Sequence, residues 1–440
     1  MLLTPLEQYD FLPRFFRLAI VNILSNLMVP LAGLISVAFL GHLMEIRHLA
    51  GVTLSTILFN YIYRTLGFLR MGTTGMTAQA VGREDEEAVL LTGLRNAILA
   101  LGLGLAIVIL QYPLQEIGFA VLSAAPDVKA SGQAYYSSRI WGAPATLLNF
   151  VLIGWFLGRE QSGKVLILSV IGNGVNILLD YLFIVHWGWE SVGAGLATAI
   201  SQYVMLLTGM ILVCQEVKWK QVQAVAKQLL DLSALKACLL LNRDIFIRPF
   251  AFLSTFSIFT NLSSAMGMTI LAENALLLQV VTLAVYFIDG LAFATESLTG
   301  IFRGKDDNQQ VASLVQIASG ISLILGLTLA LIFVLFPKPL FGVLTNHLEI
   351  IDSIHRYVSW LLPVLGFGSL AFILDGYFLG LAEGPTMRSA ALSATLIGFV
   401  PIAIAAWLFH SSHLLWLAMS VFMAARVITL GVQVPRTLKG

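Results

Sequence analysis

The chain has 440 residues, of which 58% are hydrophobic and 11% are charged, and its formal net charge is +1. A soluble domain carries about twice this share of charged residues, so the composition excludes an ordinary water-facing surface. The balanced charge and the lack of a basic tract give no reason to expect nucleic acid as a partner. Apolar runs long enough to cross a hydrocarbon core of about 30 Å recur throughout, which predicts an all-α polytopic membrane protein embedded in a lipid bilayer.

The hydropathy pattern predicts twelve transmembrane helices in two sets of six. The spans are expected near residues 15–40, 49–79, 88–112, 130–157, 163–185, 193–214, 242–266, 271–301, 310–336, 353–380, 386–409 and 412–432. The polar stretch between the sets carries Val222 and Val225 at helical spacing among lysines, which predicts an amphipathic helix on the membrane surface. We therefore expect an N-lobe at 1–214, an amphipathic cytoplasmic linker at 215–241 and a C-lobe at 242–440.

The second half of the chain repeats the first. Residues 49–89 align with 271–311 at a constant offset of 222 and without a gap. Identical pairs include Leu49/Leu271, Leu69/Leu291, Thr73/Thr295, Thr77/Thr299 and Asp85/Asp307. The same offset places 154–158, Gly-Trp-Phe-Leu-Gly, on 376–380, Gly-Tyr-Phe-Leu-Gly. In a membrane protein, a duplicated helix bundle predicts a transporter whose two halves enclose a central path.

The short loops indicate the orientation, because lysine and arginine concentrate on the cytoplasmic side of a membrane protein. When both termini are placed inside, most loop lysines and arginines are cytoplasmic. The outside loops then hold only Arg47, Lys129, Lys338 and Arg356. We therefore expect a multi-pass protein of the cell inner membrane that has both termini in the cytoplasm and acts as a monomer.

Two polar residues of the fifth predicted span form the first candidate site. Asn176 and Asp180 are four residues apart, so they share one face of a helix. A carboxylate one turn from a carboxamide can hold a small cation or a proton, whereas the structural alternative is a polar pair that joins neighbouring helices. Charged groups at membrane depth are costly, which makes Asp180 a candidate for function.

A second acidic group lies in the second half of the chain. Asp289 and Glu296, in the eighth span, are seven residues apart and close to one helix face, and Asp375 lies late in the tenth span. Asp289 and Glu296 are candidates for cation coupling, and Asp375 is a candidate for substrate contact. The alternatives are a buried hydrogen-bonding role for Glu296 and a helix-end position for Asp375.

Arginine inside a span needs an ion-pair partner or a water-filled cavity, because it does not lose its proton in proteins. Arg64 and Arg70 fall in the second span and Arg139 falls in the fourth. Arg70 is a candidate member of a structural ion pair or, alternatively, a ligand of the substrate. Asn149 and Tyr61 add polar groups and a π face that could contact a flat organic cation.

Motifs of enzymes and metal sites are missing from the sequence. We find no nucleophile motif, phosphate-binding loop or zinc spacing, and Cys214 and Cys238 are isolated. The seven histidines fall at span ends or in loops, where we expect surface residues and not metal ligands. The sequence therefore predicts no enzyme, cofactor or metal, and transport energy would come from an ion gradient.

Five motifs in order along the chain carry a family resemblance. They are Pro30–Leu43 (PLAGLISVAFLGHL), Asn176–Asp180 (NILLD), Asn242–Arg248 (NRDIFIR), Asp289–Glu296 (DGLAFATE) and Asp375–Gly380 (DGYFLG). With these motifs, the chain resembles the multidrug and toxic compound extrusion (MATE) family, in its bacterial DinF-like branch. The resemblance implies two six-helix lobes in a V shape, alternating access, and cation-coupled export of small organic cations or amphiphiles.

The resemblance also implies a coupling site, from which this chain departs at one position. In prokaryotic relatives, an aspartate of the first span joins the asparagine and aspartate of the fifth. Here Asn176 and Asp180 are kept, but Ser36 stands where the first aspartate is expected. One carboxylate neutralises Na⁺ less well than two, so we expect exchange against H⁺ through Asp180, with Asp289 and Glu296 as alternative coupling residues.

Two other functions stay open at this point. A flippase for lipid-linked precursors would need a cationic cavity, for which the sequence offers Arg64, Arg70 and Arg139. A membrane-embedded enzyme acting on lipid would need a paired catalytic carboxylate motif in a loop or a metal site, and neither is visible.

Overall fold

The computed structural model describes residues 10–43, 45–122, 124–229, 231–345 and 348–439, and this part of the chain is helical without any strand. The first ten α-helices are α1 (Leu12–Gly41), α2 (Ile46–Thr65), α3 (Phe68–Gly82), α4 (Glu86–Ile109), α5 (Gln111–Val121), α6 (Pro126–Arg139), α7 (Ala143–Gly158), α8 (Ser162–Asp180), α9 (Glu190–Glu216) and α10 (Trp219–Leu229). The next ten are α11 (Leu232–Ala265), α12 (Met268–Gly304), α13 (Asn308–Leu335), α14 (Pro337–Leu344), α15 (Leu348–Ser353), α16 (Leu361–Gly380), α17 (Gly384–Ser393), α18 (Val400–Leu408), α19 (Ser412–Gly431) and α20 (Val434–Lys439). Short π-helical segments follow α8 at Tyr181–His186 and α17 at Ala394–Phe399.

Within the described residues, eleven helical segments are long and apolar enough to cross a membrane. They cover all the predicted spans except that at 49–79. That region forms α2 and α3, which are separated by a turn at Leu66 and Gly67. The amide of Gly67 donates to the carbonyl of Arg64 at 3.3 Å, a three-residue spacing tighter than that of an α-helix. The predicted span near 49–79 is therefore helical but divided by a turn, and the polytopic helical class is confirmed.

The chain divides into two compact units by its internal contacts. The N-terminal unit is Leu24–Leu239, and the C-terminal unit combines Leu240–Gly440 with Met1–Ile23. One boundary falls inside α1 and the other inside α11. The first turns of α1 thus pack with the second half of the chain. A Cβ atom added at Gly290 of α12 would lie 2.9 Å from the backbone nitrogen of Ile23.

The same glycine contact occurs in each unit and shows the repeat in three dimensions. In the N-terminal unit, Gly154 of α7 faces α3 so closely that an added Cβ would lie 2.5 Å from the carbonyl oxygen of Arg70. In the C-terminal unit, Gly376 of α16 lies against the carbonyl oxygen of Ala292 on α12 in the same way. Both pairs are related by the offset of 222, so the duplicated sequence forms duplicated helix packing.

The polar stretch after α9 is divided between two helices. α10 places Val225 in a buried position and exposes Lys220 and Lys227. The side chain of Arg95, on α4, donates to the carbonyl of Gln228 at 2.7 Å. The following helix begins at Leu232, ten residues before the expected start of the seventh span. At this helix start, the backbone amide and the hydroxyl of Ser233 both donate to the Asp231 side chain.

Candidate functional site

Asp180 ends α8 and is almost completely buried, with 1% of its surface exposed. Its Oδ2 atom accepts a hydrogen bond from the hydroxyl of Ser36 on α1. Its Oδ1 atom is buried and accepts no hydrogen bond from any described residue. The helix widens into a π turn directly after this residue, an irregularity that is frequent at functional sites.

Asn176 lies one turn before Asp180 and points its amide toward α9. Its Nδ2 atom donates to the hydroxyl of Thr198 at 3.5 Å, and Thr198 donates to the carbonyl of Ala194 at 3.0 Å. The structure thus places the three predicted residues Ser36, Asn176 and Asp180 in one unit and adds Thr198. Sequence reasoning missed Thr198, although it is a polar residue among small apolar ones inside a span.

Arg139, at the end of α6, lies within the same helix group. Its Nη1 atom donates to the hydroxyl of Tyr135 at 2.7 Å, and its guanidinium carbon lies 4.4 Å from the ring centroid of Phe59 and 5.8 Å from that of Tyr63. Arg139 forms no ion pair with a carboxylate of the described chain, but its charge acts electrostatically on Asp180. Cation–π contacts stabilise such a guanidinium only in part.

A small cavity adjoins Arg139. Its volume is about 50 Å³. The lining residues come from α2, α6, α7, α9 and the short turn before α7, and they are Tyr63, Arg139, Gly142, Thr146, Thr198, Ala199 and Gln202. Thr198 therefore belongs both to this cavity and to the contact with Asn176.

The other predicted substrate residues of the N-terminal unit lie in different surroundings. Asn149 is 1% exposed and donates from Nδ2 to the carbonyl oxygen of Gln202 at 2.9 Å and to its Oε1 at 3.1 Å. Arg70 is half-buried on α3, and Tyr61 is 42% exposed on α2. The contacts of Asn149 join α7 to α9, so this residue lies behind the Arg139 cavity rather than on an open face.

The C-terminal unit contains two arginines in its acidic group, of which Arg426 is buried and Arg248 is half-buried. Asp375 of α16 accepts at Oδ2 from Nε of Arg248, on α11, at 2.8 Å, and from Nη2 of Arg426, on α19. The sequence predicts an acidic group at Asp289, Glu296 and Asp375 and assigns no role there to arginine. Arg248 and Arg426 lie inside candidate spans and converge on a single carboxylate oxygen of Asp375.

Asp289 and Glu296 lie on α12 near this ion-pair group. Glu296 is completely buried and Asp289 is half-buried. Both carboxylates act electrostatically on Arg248. Asp375 is 3% exposed, so it is a buried residue and not one at the protein surface.

His48 is the exception among the histidines that were expected at the surface. It is 5% exposed at the start of α2. Its Nε2 atom lies 3.0 Å from a carboxylate oxygen of Glu190, and its Nδ1 atom lies 2.9 Å from the hydroxyl of Ser191, both on α9. His347 falls outside the described residues. Among the described residues, no group of three or more His, Cys, Asp or Glu is placed to hold a metal ion.

Comparison with known proteins assigns the family. The MatE profile matches residues 22–182 and 245–409, one segment in each half. DNA damage-inducible protein F of Escherichia coli (strain K12) is 33% identical over 417 residues, which cover 94% of this chain and 90% of that relative. The chain belongs to the MatE family. It is thus a membrane transporter of the multidrug efflux (MATE) family, and the resemblance to the DinF-like branch is confirmed.

More distant MatE proteins match over most of the chain. Protein DETOXIFICATION 44, chloroplastic, of Arabidopsis thaliana is 24% identical and covers 91% of this chain and 77% of that relative. A solved MOP superfamily transporter from Pyrococcus furiosus, for which a binding pocket of reverse polarity is described, has a TM-score of 0.86 at 20% identity. The match covers 97% of this chain and 95% of the Pyrococcus furiosus chain. At this identity the likeness shows the fold, and it confirms the predicted MATE-like helical class.

Proposed function

We propose that this MatE protein is a secondary active antiporter that exports a small organic compound, cationic or amphipathic, in exchange for H⁺ by alternating access. The observation that carries the proposal is the burial of Asp180 inside a span, in a hydrogen bond with Ser36 on another helix. A carboxyl group at such a place is costly when ionised, so binding and release of a proton there changes the local free energy strongly.

The hydroxyl of Ser36 can serve both protonation states of Asp180. A serine hydroxyl has one hydrogen. Its Oγ atom lies 3.1 Å from the carbonyl oxygen of Ala32 and also within hydrogen-bond distance of Asp180. When Asp180 is ionised, Ser36 donates to the carboxylate. When Asp180 is protonated, its own hydrogen can go to Ser36, which then donates to Ala32.

The composition of the site favours H⁺ over Na⁺. A hard cation is bound by several oxygen ligands, and carboxylates supply the neutralising charge. Ser36 and Asp180 together supply one carboxylate, and the positive charge of Arg139 acts on that carboxylate. A bound Na⁺ would be repelled by the guanidinium, whereas a proton neutralises Asp180 without needing a coordination shell.

Two arginines of the C-terminal unit support an antiporter over a lipid-precursor flippase. A cationic cavity for pyrophosphate would need guanidinium groups turned to the transported anion. Arg248 and Arg426 instead converge on Asp375. We also propose that the protein works as a monomer in the cell membrane. Both termini lie in the cytoplasm, and the substrate is exported from that side.

Transport in proteoliposomes tests the proposal. Efflux of a fluorescent organic cation is followed under an imposed pH gradient and, separately, under a Na⁺ gradient. Wild-type protein should respond to the pH gradient. Asp180→Asn, which removes the titrating group but keeps the shape, should lower the pH-driven rate by at least about tenfold.

Asp127→Asn is the matched control, because Asp127 is an exposed aspartate in the first turn of α6. This variant should transport at the wild-type rate. Normal pH-driven transport by Asp180→Asn would refute coupling through Asp180, and Asp289 and Glu296 would then be the residues to test.

A further inference from the structure

Arg139 is a charged group inside a membrane span that lacks a carboxylate partner in the described chain. It lies within the candidate span Pro126–Gly158. A guanidinium has five N–H groups. One of its nitrogens donates to the hydroxyl of Tyr135, and no further acceptor among the described residues takes a hydrogen bond from the others. The remaining N–H groups are not fully buried, so they are accessible to water or to a ligand in the adjoining cavity.

The cavity beside the guanidinium has the size of a small ligand. One water molecule needs about 10–15 Å³ of such space. The cavity of about 50 Å³ therefore holds a monatomic anion with a water molecule, but it is too small for an organic substrate.

The cavity also offers a second donor. The Oε1 atom of Gln202 accepts from Asn149 at 3.1 Å, which fixes the orientation of the amide and leaves its NH₂ group as the donor. The hydroxyls of Thr146 and Thr198 already donate to the carbonyls of Gly142 and Ala194. Arg139 and Gln202 therefore supply the donors of the site, one charged and one neutral.

We propose that Arg139 and Gln202 form a binding site for a small inorganic anion of the halide class in the cavity between α2, α6, α7 and α9. Charge-assisted hydrogen bonds from the guanidinium would hold the anion, and the ring of Phe59 packs against the guanidinium, with its centroid 4.4 Å from the guanidinium carbon. The site does not include Ser36 or Asp180, which form the proton site. Halide binding can be measured without transport, so its test does not depend on the proposed antiport.

The anion and Asp180 draw on the same positive charge. The guanidinium acts electrostatically on Asp180, so an ionised carboxylate there lowers the attraction that remains for the anion. The neutral variant Asp180→Asn should therefore bind a halide about tenfold more tightly than wild type at neutral pH. Unchanged or weaker binding by this variant would overturn the claim that one guanidinium serves both groups.

Halide binding is measured on the whole detergent-solubilised protein by thermal unfolding. Sodium chloride and sodium bromide are compared with sodium gluconate at equal ionic strength, so that screening is the same in every sample. A ligand that binds the folded state raises the unfolding temperature in a saturable way. Wild type should show this rise with both halides, and Arg139→Gln should lose it.

Two controls keep the test decisive. Arg64→Gln removes an exposed arginine of α2 that does not line the cavity, and it should keep the halide response. Anomalous X-ray scattering from bromide-soaked crystals of wild type should show a peak beside Arg139, a result that does not require any variant to fold. A cavity that contains only water, or a full halide response in Arg139→Gln, would overturn the proposal.

Discussion

Ser36 on α1 donates its hydroxyl hydrogen to Asp180, the last residue of α8, across 144 positions of the chain. This pair stands where the family resemblance implies two aspartates. A hydroxyl in place of a carboxylate keeps the hydrogen bond but removes one negative charge from a buried site. The pair thus fits a proton as the coupling ion, and it offers a direct way to change the ion.

Restoring the second carboxylate should change the ion preference. Ser36→Asp would place two carboxylates side by side, and two like charges in a buried site favour uptake of a cation that bridges them. We expect this variant to gain transport driven by a Na⁺ gradient in proteoliposomes. Its Na⁺-driven rate should be at least about tenfold above that of the wild-type protein.

The control for this prediction is Ser36→Asn, which has nearly the same size as aspartate but no charge. It should gain no response to Na⁺. If Ser36→Asp responds to Na⁺ no better than Ser36→Asn, the charge count of this site does not select the coupling ion.

The buried ion pairs of the C-terminal unit predict an asymmetry between two substitutions. Asp375→Asn would remove the carboxylate with which Arg248 and Arg426 both form ion pairs, and breaking a buried pair in this way costs about 3–5 kcal/mol. Arg426→Gln would leave Asp375 paired with Arg248, so it should cost less. Thermal unfolding in detergent should rank Asp375→Asn as the less stable variant.

Glu349→Gln serves as the reference for these two variants, because Glu349 is an exposed carboxylate near the start of α15. Its unfolding temperature should stay at the wild-type value. Equal losses from Asp375→Asn and Arg426→Gln would show that the three charged groups do not depend on a single shared carboxylate.

The repeated glycine contacts predict equal sensitivity in both units. Gly154→Ala would push a methyl group to 2.5 Å from the carbonyl oxygen of Arg70, and Gly376→Ala would do the same at Ala292. Because the helix backbone must shift to relieve this close contact, each variant should lose about 1–3 kcal/mol of stability.

Gly174→Ala is the matched control, since no atom lies within 4 Å of its added Cβ. It should be neutral or stabilise α8 by up to about 1 kcal/mol. A stable Gly376→Ala beside an unstable Gly154→Ala would contradict equivalent packing in the two units.

The sequence predicts the helical class and the face shared by Asn176 and Asp180, because both follow from short-range rules. Apolar run length identifies spans, and a spacing of four residues places two side chains on one side of a helix. The convergence of Arg248 and Arg426 on Asp375 could not be predicted in this way. The two arginines are 127 and 51 residues from Asp375 along the chain. Only the packing of α11, α16 and α19 brings them together.

Thr198 and the turn between α2 and α3 also could not be predicted from short-range sequence rules. Thr198 meets Asn176 across 22 residues and two helices, so no local pattern marks the contact. The turn at Leu66 and Gly67 interrupts a run whose hydropathy reads as one span. The three-residue hydrogen bond of the Gly67 amide marks this turn, and a hydropathy average over a window does not detect it.

His48 provides the last test, because it is a buried histidine that joins two helices. It contacts Glu190 and Ser191 on α9 from the start of α2. Removing it leaves a buried hydroxyl without its partner, and such a loss costs about 1–3 kcal/mol. We expect His48→Ala to lower the unfolding temperature in detergent and His48→Gln, which keeps a polar atom, to lower it less.

His42→Gln is the matched control, since His42 is exposed and its ring contacts the Ala38 carbonyl of its own helix, at 2.7 Å. An effect of His42→Gln as large as that of His48→Ala would show that the contact with α9 does not stabilise the N-terminal unit.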